Sequence, residues 1–185
     1  SGCGKSTIAR ALTGLVPHQG IIEFDGQLLV TTPAARFAAS RHMQMVFQDP
    51  MAALNGRMRV GDLVQEPLVI HGVGNRATRR ARAEELFTRV GLASDALDRY
   101  PHEFSGGQRQ RICIARALAL SPKLILADES VSALDVSVQA SVLDLLAELK
   151  AEMGMSYLFI SHDMAVVENI ADRVAVMFLG QIVET

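Results

Sequence analysis

A chain of 185 residues corresponds to one domain with room for a subdomain. Hydrophobic residues at 49% and charged residues at 21% give the balance of a globular protein, and no apolar run approaches the roughly 18 residues that span a bilayer. A net charge of -2 excludes the electrostatic footprint of a nucleic-acid binder, so no nucleic-acid partner is expected.

The chain opens with Ser1-Gly2-Cys3-Gly4-Lys5-Ser6-Thr7, the last part of the pattern G-x-x-x-x-G-K-[ST], whose first glycine would lie two residues before Ser1. In such a loop successive backbone N–H groups face a β-phosphate at the positive end of the following helix. Lys5 adds a charge between β- and γ-phosphates, and the Ser6 hydroxyl can ligate Mg²⁺. Alone, the loop specifies only a nucleoside triphosphate. Cys3, beside Lys5 at a helix start, is expected to have a lowered thiol pKa. With Cys113 it fits a reducing compartment rather than a disulfide framework, and the scattered histidines form no zinc-ligand spacing.

A short helix over 6–12 ends at Gly14 and Pro17. Apolar runs at 21–24 and 27–30 flank Asp25-Gly26, a two-residue hairpin signal. A helix is predicted over 33–39 and a strand over 42–47. From 49 to 101 the character changes: amphipathic helices over 60–70 and 77–90 lie among Gly, Pro and Asn, and Arg76, Arg79, Arg80 and Arg82 read as a solvated helix face. Ser105 followed by Gln108 forms a capping-box pattern that starts a helix running to about Leu120. A buried strand over 124–127 follows, then a long helix over 136–153 closed by Gly154, a strand over 155–160, a helix over 164–170 and a strand over 173–178. Strands alternating with helices imply a mixed α/β fold with a largely parallel sheet covered on both faces.

The strand over 124–127 carries Asp128 and Glu129 at its carboxyl end, where open α/β sheets place ligands. Asp128 suits a direct or second-sphere Mg²⁺ partner, and Glu129 is placed to orient and deprotonate an attacking water. Gln48, at the end of the preceding strand, can reach the metal or its water with an uncharged amide. His162, at the end of the next strand, can donate to a γ-phosphate while contacting Glu129.

The order of phosphate loop, Gln48, Ser105-Gly106-Gly107-Gln108, Asp128-Glu129, Ser132-Ala133-Leu134-Asp135 and His162 resembles the ATP-binding cassette (ABC) family throughout the chain. The resemblance implies a P-loop NTPase core at 1–48 and 121–185, with a helical subdomain inserted at 49–120. It implies ATP and Mg²⁺ as cofactors, with Ser1 to Thr7 on the nucleotide and Ser6, Gln48 and Asp128 around the metal. Glu129, His162 and Gln48 take catalytic places, and Asp135 lies in the D-loop. Two such domains, identical or not, are implied to pair head to tail, with Ser105, Gly106, Gly107 and Gln108 of one covering ATP on the other. About three charge-assisted hydrogen bonds per nucleotide, at roughly 1.5 kcal/mol each, supply on the order of 9 kcal/mol gross over two sites. Swinging an open-to-closed equilibrium needs about 5.5 kcal/mol. ATP can therefore close the pair.

Val46-Phe47-Gln48-Asp49-Pro50-Met51, Leu54-Asn55, Glu66-Pro67-Leu68 and Pro101-His102-Glu103-Phe104-Ser105 are most similar to ATPases of oligopeptide, dipeptide and nickel importers. The implied partners are two membrane permease subunits docking near 48–60 and, indirectly, an extracytoplasmic solute-binding protein. The implied location is the cytoplasmic face of the cell (inner) membrane, as a peripheral subunit. Ser130-Val131 depart from the family's usual Pro-Thr, and Gly56 from its Pro; both are expected to alter loop stiffness only. The strand before the phosphate loop, its first glycine and the aromatic that stacks on adenine are not in the sequence, which is expected to be a fragment truncated at both ends, with one sheet position unpaired. The motifs leave two other readings open: a soluble ABC ATPase of translation or DNA repair, and a non-catalytic remnant.

Overall fold

The computed structural model describes residues 2–30 and 32–185. Helix α1 (Lys5–Leu12) follows the glycine-rich loop, and a short antiparallel pair, β1 (Glu23–Phe24) and β2 (Gln27–Leu28), comes next. Asp25 and Gly26 take φ of 53° and 72°, the left-handed pair that a tight type I′ turn demands. Both strands are shorter than predicted. Ile21, Leu28 and Val30 stay exposed, and a ribbon with no third strand among the described residues gains little from lengthening.

Helix α2 (Pro33–Ser40) starts at Thr32, whose hydroxyl accepts from the Ala35 N–H. Strand β3 (Met43–Val46) follows. Helix α3 (Pro50–Ala53) is a single turn begun by the Asp49 side chain, which accepts from the Met51 N–H. The sequence reading missed it, because one turn leaves no apolar periodicity to detect. Helices α4 (Val60–Ile70) and α5 (Arg76–Arg89) match the predicted amphipathic helices. Helix α6 (Gly106–Leu118), strand β4 (Leu124–Asp128), helix α7 (Val136–Met153), strand β5 (Ser156–Ile160) and helix α8 (Met164–Ile170) complete the alternation. Gly154 ends α7 at φ 62°. The expected strand over 173–178 contracts to β6 (Val176–Phe178), which pairs antiparallel with an unforeseen β7 (Gln181–Glu184). Their turn places Leu179 at φ 45°, and leucine is not a residue that announces a left-handed turn.

Strands β3, β4 and β5 form a parallel sheet in that order, with Val46 opposite Ala127 and Asp128 opposite Ile160. Alternate residues of β4 point to opposite faces. Ile125 joins a core shared with Leu63, Phe87, Leu97, Ile114, Leu118 and Leu146, whereas Leu126 packs with Ala9, Met43 and Ile160 on the other side. Helices therefore cover both faces, and the core continues without a break from α4 and α5 through α6 to the sheet.

Several arginines of α5 pair with carboxylates on the surface. Arg80 grips Asp98 with both terminal nitrogens at 3.0 and 3.1 Å and holds its carboxyl below the usual carboxylate range. Arg82 reaches Glu85 and Ser121, and Arg89 links Glu85 to Glu152. Exposed pairs of this kind contribute little to stability.

Close approach matters more. A Cβ on Gly61 would lie 2.9 Å from the Leu97 carbonyl oxygen and 3.1 Å from the Leu97 Cβ. Gly61→Ala is expected to destabilise the chain by about 1–3 kcal/mol through overpacking, read from urea unfolding. Wild-type stability would show that α4 can move off Leu97 at no cost.

Candidate functional site

Gly2 and Gly4 take φ of 90° and 96°, and Gly4 occupies the N-cap of α1 without offering a side chain. The first N–H groups of α1 are thus left without a capping side chain, toward the space inside the loop. Ser1 lies outside the described residues. Lys5 Nζ sits 3.4 Å from Cys3 Sγ. Partial burial of Cys3 works against the thiolate, but the Lys5 hydrogen bond and charge together bring the thiol below its ordinary pKa. Thr7 is exposed.

Ser6 Oγ donates to Asp128 Oδ1 at 2.8 Å, across 122 residues of sequence. Asp128 is 4% exposed, a depth at which a carboxylate needs a partner. Glu129 follows at once, its side chain 15% exposed. Its Oε2 accepts from Gln48 Nε2 at 3.0 Å, and its Oε1 lies 3.3 Å from His162 Nδ1. Gln48, Glu129 and His162 sit just beyond the carboxyl ends of β3, β4 and β5. Parallel pairing brings them together.

The donor set fits magnesium. No cluster of three or more His, Cys, Asp or Glu side chains able to hold a metal occurs among the described residues. The Ser6 hydroxyl, the Asp128 carboxylate and the Gln48 amide oxygen are hard ligands that suit Mg²⁺ shared with substrate phosphates and water rather than caged by protein.

Ser105 to Gln108 lie elsewhere. Ser105 Oγ accepts from the Gln108 N–H at 3.3 Å, and Gln108 Oε1 accepts from the Ser105 N–H at 3.0 Å. The two residues satisfy one another, and no hydrogen bond among the described residues joins them to the phosphate loop or Glu129. Gly107 has a packing reason to be glycine: a Cβ there would collide with the Val138 side chain. Gly106 has none, since its Cβ would meet Leu134 at an ordinary 3.9 Å. Asp135 stands at the N-cap of α7 but makes no capping bond, and its side chain is exposed.

Two features escaped the sequence reading. Glu129 has φ 46°, which nothing in a glutamate announces. A cleft of about 310 Å³ opens between α2, β3, α4 and α6, lined in part by Phe47, Ala53, Glu66, Cys113 and Arg116. Arg116 spans its wall, donating to the Ala53 carbonyl at 2.9 Å and to Glu66 Oε2 at 2.6 Å. Burial pushes the Cys113 thiol up to about 12.

A left-handed glycine loop at a helix start, a lysine within it and a serine bonded to an acidic strand end define a phosphate-loop nucleotide-binding protein. The chain belongs to the ABC transporter family, whose model matches residues 1–132. It is 56% identical over 186 aligned residues to the glutathione import ATP-binding protein GsiA of Pectobacterium atrosepticum and 57% identical to that of Escherichia coli K12. Each alignment covers 100% of this chain but 30% of the relative, so the chain spans under a third of their length. Among solved structures, cbiO1 from Clostridium perfringens, part of the cbiONQ ABC transporter complex, superposes with TM-score 0.89 at 28% identity, covering 100% of this chain and 72% of that one. The ATP-binding cassette MJ0796, solved as a dimer in a post-hydrolysis state with ADP and Pi, superposes at 0.85 with 29% identity, covering 99% and 80%.

The two thiols should separate chemically. At pH 7.5 iodoacetamide is expected to alkylate Cys3 at least about tenfold faster than Cys113, because alkylation needs the thiolate. Lys5→Ala should slow the Cys3 reaction, as followed by peptide mass spectrometry. Equal rates at both cysteines would contradict the environments described.

Proposed function

We propose that the chain is the ATP-binding and ATP-hydrolysing part of an ABC importer, energising uptake of peptides or a related small solute or metal through a membrane permease. The observation that carries this reading is the convergence of Ser6 on Asp128, and of Gln48 and His162 on Glu129, at one edge of the parallel sheet.

The uncapped N–H groups of α1 and Lys5 bind the β- and γ-phosphates, joined by Ser1 to Thr7 as a loop. Ser6, Asp128 and Gln48 would hold Mg²⁺, which when bound neutralises charge developing on the phosphates. Glu129 takes the proton of the attacking water. His162 fixes the carboxylate from the side opposite Gln48 and is exposed enough to turn toward a γ-phosphate. Proton acceptors placed in this way contribute about 10²–10⁴-fold to rate.

Residues 49–120 act as a helical unit that presents Ser105, Gly106, Gly107 and Gln108 to ATP held by a second cassette, whether identical or not. The absence of any hydrogen bond, among the described residues, to the phosphate loop of the same chain and the dimeric relative MJ0796 support this pairing. Asp135 lies on the rim between the two. The cleft beside Phe47, Ala53 and Glu66 receives a permease helix, and the cbiONQ relative supports an assembly with membrane subunits. An extracytoplasmic binding protein delivers solute to the permease, and the ATPase sits at the cytoplasmic face of the inner membrane. Relatives named for glutathione import support a small peptide as the solute class.

The test uses the full-length protein. Glu129→Gln is expected to keep ATP affinity, lose at least about 100-fold in turnover and accumulate as a nucleotide-bound pair by size-exclusion chromatography. Wild-type turnover would refute the role of Glu129. Ser105→Arg should bind ATP, shown by a fluorescent analogue, yet fail to pair or hydrolyse. Normal hydrolysis in that variant would refute the shared site. Co-purification of permease subunits from detergent-solubilised membranes tests the transport assignment.

A further inference from the structure

Helix α3 is too short to hold itself. The Ala53 N–H donates to the Asp49 carbonyl at 3.1 Å and the Leu54 N–H to the Pro50 carbonyl at 3.2 Å, and an isolated turn of that size is unstable in water. Its last carbonyls have no partner within the helix. Asp49 secures the start by accepting from the Met51 N–H at 2.8 Å. The far end is secured from α6, where Arg116 Nη1 donates to the Ala53 carbonyl at 2.9 Å, a charge-assisted bond.

The same guanidinium is gripped from α4. Arg116 Nη2 donates to Glu66 Oε2 at 2.6 Å, and the two side chains are only 32% and 33% exposed, so water competes less for this pair than for those of α5. Two nitrogens on two acceptors fix both the place and the plane of the fork, which a lysine ammonium cannot do. Ala53 stands five residues after Gln48, whose Nε2 lies 3.0 Å from Glu129 Oε2. Only the Asp49 turn and α3 separate the two. Neither acceptor of Arg116 belongs to the phosphate loop or the sheet edge, so arriving nucleotide does not compete for the fork.

We propose that Arg116 is a positioning residue for Gln48: by clamping the end of α3 to α6 and α4, it fixes where the Gln48 amide reaches at the sheet edge. Without the clamp α3 frays, the amide loses its place beside Glu129 and the metal, and turnover falls. ATP binding, made by the phosphate loop, stays. The inference rests on the assignment of Gln48 to the hydrolytic site.

The experiment measures steady-state ATPase kinetics of full-length wild type, Arg116→Lys, Gln48→Ala and the double variant, with hydrogen–deuterium exchange of each without nucleotide. Arg116→Lys is expected to lower kcat about tenfold with KM for ATP within about twofold, since a misplaced group costs up to about 10²-fold. In the Gln48→Ala background the same change is expected to cost about twofold or less, because its effect passes through an amide already removed. Exchange in Arg116→Lys is expected to rise about tenfold over residues 49–55 and to stay unchanged in α4 and α6. Wild-type kcat in Arg116→Lys, a change in KM alone, a full further loss in the double variant, or exchange that is unchanged at 49–55 or raised throughout α4 and α6 overturns the proposal. Gln48→Ala separates the two levels. If it is impaired and the double variant loses a further tenfold or so, only the Arg116 inference falls; if it turns over as wild type, the Gln48 assignment falls and takes the clamp with it. Where Gln48→Ala is too slow for a further loss to be seen, exchange decides alone. Should Arg116→Lys fail to fold, Glu66→Ala frees one arm of the fork and is expected to lower kcat about threefold with the same local rise in exchange; wild-type kcat or unchanged exchange there overturns the proposal equally.

Discussion

The hydrogen-bonded register of β3, β4 and β5 is the constraint on which the site depends. Parallel strands in register end at a common edge, so Gln48, Asp128, Glu129 and His162 meet there although long stretches of chain separate them. No loop has to find another. Each side chain is placed by the strand just before it, and each strand is held by apolar layers on both faces. Helix α1 joins this arrangement through the bond from Ser6 to Asp128. That bond satisfies a carboxylate at a depth where an unpaired charge would cost several kcal/mol.

A second organising fact is that the polar groups at the edge satisfy one another. Asp128 has Ser6, Glu129 has Gln48 and His162, and Lys5 rests near Cys3. Such an arrangement keeps charged groups from being stranded in a partly buried place. Each contact is also one that phosphate, metal or water can replace with a stronger one, since hydrogen bonds to ions exceed those between neutral groups. The Ser105–Gln108 turn follows a different logic: its side chains cap their own helix, leaving the Gly106 backbone uncovered by any side chain of its own.

Local signals were the legible part of the sequence. Asp25-Gly26, the Ser105–Gln108 box and Gly154 each encode a turn or cap within a few residues, and the structure forms all three. The chemistry of the edge was legible only through motif order, because the partnership of Ser6 with Asp128 is not a local property. Leu179-Gly180 and the one-turn helix after Asp49 were missed for want of turn chemistry in the first and of length in the second. The left-handed backbone of Glu129 was invisible for another reason, since it is imposed by bonds to Ile160 and Ser132 and contradicts the residue's own preference. At Gly107 packing against Val138 is a second reason for glycine, which only the structure reveals. The arginines of α5 lie on a solvated face, where several of them pair with Asp98, Glu85 and Glu152.

The contact between Gly107 and Val138 makes the opening turns of α6 and α7 behave like meshed teeth. There is no slack for even a methyl group between them, so any larger residue at 107 would have to displace Val138 or spread the two turns. Ser105 and Gly106 on one side and Asp135 on the other are therefore held at a spacing which that contact sets.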